Sequence, residues 1–209
     1  MHQSENTPSD VLQFWFGSTD LGAMPSKEVR SRWFQRSDDF DREIELRFSS
    51  AIGRAIEGKL SNWESSLDGQ LGLILLCDQF PRNIYRGSAQ AFAGDPRALK
   101  ISQSMADVDW QGQLGLHQRA IFGMPLEHSE RSDIQRQSVA YFLRLRQDFA
   151  RDKPGVSPED TQAAESYYRF ARAHQDVIEQ FGRYPHRNLA LGRESTPAEQ
   201  QWLEQGGGF

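Results

Sequence analysis

From Leu71 to Phe80 the chain is apolar almost all the way round a helix. Leu71, Ile74 and Leu75 share one face with Asp78, and Leu73, Leu76, Cys77 and Phe80 share another. A helix without a polar face has to be buried, so this segment predicts a central core helix over about 68–80. The acid near its end meets both desolvation and the negative pole of the helix dipole. Asp78 therefore needs a cation or several donors. Its own stretch supplies them: Asp78-Gln79-Phe80-Pro81-Arg82-Asn83-Ile84-Tyr85-Arg86-Gly87. An altered copy, Gln180-Phe181-Gly182-Arg183-Tyr184-Pro185-His186-Arg187-Asn188, returns about a hundred residues later. In both copies the aromatic-Pro pair disfavours helix at the aromatic. Each therefore predicts a helix end, then a turn carrying Arg and Asn donors.

The rest of the chain reads as further helices. Thr7-Pro8-Ser9-Asp10 is a start signal for a short aromatic helix closed by Gly17. Residues 18–36 read as a loop with one helical turn near Trp33. Phe40, Ile44, Phe48, Ile52 and Ile56 recur every four residues and mark an amphipathic helix over about 38–57. Asp95-Pro96 opens another. Leu114 to Phe122 forms a helix that Gly123-Met124-Pro125 breaks, and Ser129 caps the next one, to about Phe149. Ser157 caps a long helix to Phe181, and Thr196-Pro197-Ala198-Glu199 opens a short closing one. No window keeps the strand period. The predicted fold is all-α: one domain over 1–209 made of antiparallel helical hairpins, with residues 1–7 as a disordered tail.

Composition excludes some partners. A net charge of −5 gives no general attraction for nucleic acid or an anionic membrane surface, and no run is long enough to span a bilayer. The first ten residues are polar and lack an apolar signal segment. The lone Cys77 allows no intramolecular disulfide and fits a reducing compartment, so the expected location is cytoplasmic. Arg makes up 20 of the 24 basic residues. Arg favours planar recognition of carboxylate or phosphate, although genomic base composition produces the same bias.

Three groups of residues carry potential chemistry. Asp78 is either a structural ion-pair partner or a ligand-linked carboxylate. His174 lies within the apolar stripe of its helix, where it is either a hydrogen-bonded core residue or a catalytic one. His128 and Glu130 stand beside Glu127 in a polar loop and complete the catalytic candidates. Arg183, His186, Arg187, Asn188 and Arg193 form a donor-rich segment without an acid before Glu194. Joined by Arg82, Asn83 and Arg86, they predict a pocket for a carboxylate or phosphate, with helix capping and internal ion pairing as the alternative. There is no His-Glu-x-x-His and no Cys pair, so neither a metal nor another cofactor is expected.

Four passages carry a family resemblance: Val11-Leu12-Gln13-Phe14-Trp15-Phe16-Gly17, Asp78 to Gly87, Phe122 to Glu130, and Phe181 to Thr196. On them the chain resembles the bacterial domain-of-unknown-function family 924, whose members are placed in the tetratricopeptide-like all-α superfamily. The resemblance implies a helical-hairpin fold and brings no assigned activity, so no catalytic residue transfers. The legible sequence lacks the tetratricopeptide repeat signature itself. Two functions compete: a polar Asp/His/Arg site for an anionic small molecule, enzymatic or not, and a helical module that binds a peptide or protein.

Overall fold

A computed structural model of the chain describes residues 5–33, 35–105 and 113–208. Residues 1–4 of the expected tail and the terminal Phe209 lie outside them. No strand occurs among the described residues, and the fold is all-α as predicted. Tertiary contacts group the chain into two compact units: Met1–Arg86 with Gln90–Pro125, and Gly87–Ala89 with Leu126–Phe209.

The first unit is organised by aromatic side chains on capped helices. Thr7 and Asp10 form a capping box at the start of α1 (Pro8–Phe16), which Gly17 closes in the left-handed region at φ 73°. Behind it come α2 (Lys27–Ser31), about the one turn predicted but ending before Trp33, and α3 (Asp38–Ile56). The stripe of α3 is buried at Phe40, Ile44, Phe48 and Ile52. Phe14 stacks on Phe40 at 5.3 Å and meets Phe48 at 5.1 Å; Trp15 stacks on Trp33 at 5.8 Å. Phe80 enters the same cluster at 5.1 Å from Phe48.

The central segment departs from the predicted helix end at Phe80. α4 (Leu67–Ile74) widens into a π turn over Leu75–Gln79, and α5 (Phe80–Ile84) continues through Pro81. Within that turn the Phe80 N–H reaches back to Leu75 O, five residues away. The wider turn admits a proline that an unbroken α-helix would reject. Nearby carbonyls are then met from outside the helix. Arg82 Nη1 donates to Asp78 O at 2.9 Å. A Cβ on Gly94 would lie 2.2 Å from Cys77 O, so only glycine allows this close approach. Every residue from Leu71 to Pro81 is buried.

The unit closes with α6 (Asp95–Met105) and most of α7 (Leu116–Glu127), whose last two residues belong to the second unit. The predicted break at Gly123–Pro125 does not occur, since Pro125 lies inside α7. Near the helix end Pro125 removes only the bond to the Ile121 carbonyl, and the neighbouring Phe122 O also accepts from Ser102 Oγ at 2.5 Å.

The second unit is built on a helical hairpin, α8 (Ser132–Asp148) and α9 (Pro158–Phe181), followed by α10 (Pro197–Glu204). Phe142 meets Tyr167, and one turn further along α8 Arg146 pairs with Glu165. Partner numbers fall as α8 numbers rise, so the helices are antiparallel. The N-cap of α8 is Arg131 rather than the predicted Ser129. Ser129 Oγ accepts from Arg131 N, while Gln135 Nε2 takes the Glu127 and Ser129 carbonyls at 2.8 and 2.6 Å.

Asp78, fully buried, lies 3.1 Å from Arg82 Nη1 and accepts from Gln79 Nε2 at 2.6 Å. Asp78→Asn is expected to lower stability by about 1.5–3 kcal/mol, the loss of charge-assisted bonds at a buried acid whose arginine keeps Asp95. In a denaturant-unfolding cycle with Arg82→Met, the double variant should lose less than the two single losses added together. Additive losses would contradict the pairing.

Candidate functional site

The second aromatic-Pro copy behaves as predicted, and its geometry builds the candidate site. Gly182 ends α9 at φ 71°, its N–H reaching Ile178 O at 2.8 Å. Tyr184, held extended before Pro185, precedes the short helical turn Pro185–Arg187. This reversal sends the Tyr184 ring inward, where it is fully buried.

Every polar group of Tyr184 is engaged. Its hydroxyl donates to Glu127 O and accepts from Gln135 Nε2 at 2.8 Å. Its N–H donates to Glu130 Oε1 at 2.9 Å, and its carbonyl accepts from Arg193 Nη2 at 3.2 Å. Arg193 also holds Glu130 through two bonds of 2.7 and 3.0 Å. The Arg187 guanidinium sits 4.5 Å from the Tyr184 ring centre while its Nη1 donates to His128 O at 3.0 Å. His174 meets Tyr184 edge-on at 5.7 Å, His186 tilts against it at 5.4 Å, and the His128 and His174 rings are 6.2 Å apart. His174 and Arg187 are buried, His128 is half-buried and His186 is exposed.

A second network holds the segment to α10. Glu199, 2% exposed, takes Arg183 through bonds of 2.6 and 2.8 Å and caps Thr196 N at 2.7 Å. Asn188 Nδ2 reaches Ser195 Oγ at 3.0 Å. Of the predicted donors here, Arg183 and Arg193 hold acids, whereas Arg187 and His186 surround Tyr184.

Electrostatics follow the same division. His174 Nδ1 bonds Phe170 O at 2.8 Å. A carbonyl only accepts, so Nδ1 carries the proton. Burial holds His174 down to about 3, helped by the nearby His128, Arg187 and His186, against the opposing Phe170 bond. Burial likewise pushes the Tyr184 phenol well above its ordinary range. For Glu130, burial alone would raise the carboxyl, but the bonds from Arg193 and Tyr184 N outweigh it and the net shift is downward. The Arg183 bonds hold Glu199 down to about 2.

The remaining predicted residues belong to the first unit, each with an acid of that unit. Arg82 bridges Asp78 and Asp95, with bonds of 2.8 and 2.9 Å to the latter. Asn83 donates to Asp41 Oδ1 at 2.9 Å, and Arg86 pairs with the same carboxylate. Cys77 is buried, and burial pushes its thiol up to about 12, far from a reactive thiolate. Among the described residues no three His, Cys, Asp or Glu side chains gather as a metal would require.

The model of a bacterial protein family of unknown function, DUF924, matches residues 11–207. The chain belongs to this family. It is also similar to a solved structure, that of the protein of unknown function ATU0120 from Agrobacterium tumefaciens. Identity is 31% over 95% of this chain and 97% of that one, with a TM-score of 0.74. No curated protein matches the chain. In this DUF924 chain, sequence reasoning missed Tyr184 and Gln135, the two residues on which the cluster turns. The available signal was a tyrosine fixed before a proline and a glutamine beside the apolar stripe of α8.

His174 generates a pH prediction. Unfolded, it titrates near 6.5; folded, near 3. Above pH 6.5 both states are neutral and its contribution to stability is complete. As pH falls below 6.5 the unfolded state takes up a proton that the native state refuses, so stability declines. The loss should reach about 2 kcal/mol by roughly pH 5. His174→Phe, which keeps an aromatic edge against Tyr184, should flatten this decline in urea unfolding. An unchanged slope would contradict the assignment.

Proposed function

We propose that the Tyr184 cluster binds an anionic small molecule through a carboxylate or phosphate group. The observation that carries this reading is the gathering of His174, His186 and Arg187 on one buried tyrosine, with His186 exposed and a half-buried His128 against His174. Arg187 contributes a permanent charge, and the rim histidines contribute ring N–H donors in reach of solvent. His174, held neutral, and Tyr184, held protonated, act as fixed walls. In an enzymatic version His128 or His186 moves the proton while Arg187 holds the anion, and Glu130 positions Arg193 and the Tyr184 backbone. Arg82, Asn83 and Arg86 serve acids of their own unit and steady its helices, together with Asp78.

The tetratricopeptide-like classification belongs to the same proposal and draws on the antiparallel α8–α9 hairpin. No helix among the described residues is long and apolar enough to cross a membrane. A cytoplasmic location, suited to the buried free thiol of Cys77, is likewise inferred. The peptide-binding reading draws on Leu189, 92% exposed and three residues after His186.

Thermal shift with inorganic phosphate, acetate and citrate tests the proposal. A binding anion should raise Tm with its concentration over Kd. His186→Ala should weaken that binding roughly tenfold, the loss of one charge-assisted contact, while leaving the ligand-free Tm unchanged because the ring is exposed. No shift with any of the three anions would contradict the small-anion reading. A shift only with peptides would favour the module.

A further inference from the structure

Gln135 and Ser138 lie one turn apart on α8, and both are completely buried. The Gln135 amide nitrogen is heavily used, by the Leu126, Glu127 and Ser129 carbonyls and by the Tyr184 hydroxyl. Four acceptors around Nε2 fix the amide orientation and point Oε1 away from them. Gln135 Oε1 and Ser138 Oγ then have no hydrogen-bond partner among the described residues. Leaving two such atoms unmet in a core is unfavourable by well over RT.

Both side chains rise from one face of α8. Residues three apart on a helix are neighbours, and helical side chains lean toward the N-terminus, so Ser138 lies over the turn that carries Gln135. The antiparallel register that pairs Phe142 with Tyr167 carries Ala171 opposite Ser138 and His174 opposite Gln135. Gln135 and His174 both touch Tyr184, in agreement with that register. Ala171, fully buried, is the smallest side chain that keeps a Cβ there.

We propose that α8 and α9 enclose a site for one hydroxylic group, which donates to Gln135 Oε1 and accepts from Ser138 Oγ. The group is either a resident water or the hydroxyl of a hydroxy-substituted anion. The second source rests on the anion reading above; the first does not.

Ser138→Ala separates a filled site from an empty one. Removing an unmet hydroxyl is neutral or stabilising, whereas removing one that holds a guest is destabilising. With a resident water, the ligand-free variant should melt roughly 2–4 °C below the parent chain, and a high-resolution crystal structure of the parent should hold density within hydrogen-bond distance of both atoms. With a ligand hydroxyl, the ligand-free Tm values should agree, and glycolate should bind the parent several-fold more tightly than acetate. That preference should vanish in Ser138→Ala. An equal or higher Tm for the variant, no density between the two atoms, and no glycolate preference would together overturn the site. If neither anion binds, the anion reading fails, and the ligand-free Tm and the density still decide for or against water.

Discussion

Tyr184 is the constraint on which the second unit depends. A phenol is stable in a core only when its hydroxyl is bonded, and here Glu127 O and Gln135 supply both partners. The carbonyl of Glu127 lies where α7 ends, and Gln135 lies in the first turn of α8. One side chain therefore ties Glu127 to the first turn of α8. Its backbone adds Glu130 and Arg193, so the loop between those helices and the segment after α9 are fixed by a single residue. The rings of His174 and His186 and the Arg187 guanidinium then take their places against it. Pro185 and Gly182 make this possible by removing the helical option on one side and supplying a left-handed turn on the other.

The first unit solves a related problem in another way. A proline lies within its most buried stretch, and a π turn accommodates it. The turn also carries Asp78 and Gln79 in the core. Arg82 serves both the Asp78 carboxylate and its carbonyl and continues to Asp95. A buried charge with this many bonds fixes how the surrounding helices meet. Such an arrangement is weak evidence for extra stability and stronger evidence for a specified geometry.

Much of this was legible in the sequence where one residue type has one physical use. Thr7, Ser157 and Thr196 cap as read, each with its acid three positions on, and the stripe of α3 is buried from Phe40 to Ile52, with Ile56 half-buried at its end. The need of Asp78 for a cation or several donors followed from its position alone. Prolines misled at Pro81 and Pro125, because the rule that proline ends a helix is local. A widened turn in one case, and nearness to the helix end in the other, relieve the conflict. Ser129 does not cap α8 because the helix begins two residues further on, after Arg131, and Ser129 Oγ accepts from Arg131 N instead. The site candidates were read as one donor-rich pocket, but Tyr184 as its centre depends on a pairing of α8 with α9 that no short window of sequence contains.

The central claim is that three histidines and Arg187 around Tyr184 act as one binding site. Histidine ring NMR during a titration of the full chain with inorganic phosphate tests it most directly. The His128 and His186 resonances should move together to saturation with a single Kd, while His174 keeps its Nδ1 proton throughout. Histidine resonances that stay still, or that drift separately without saturating, would contradict a common site.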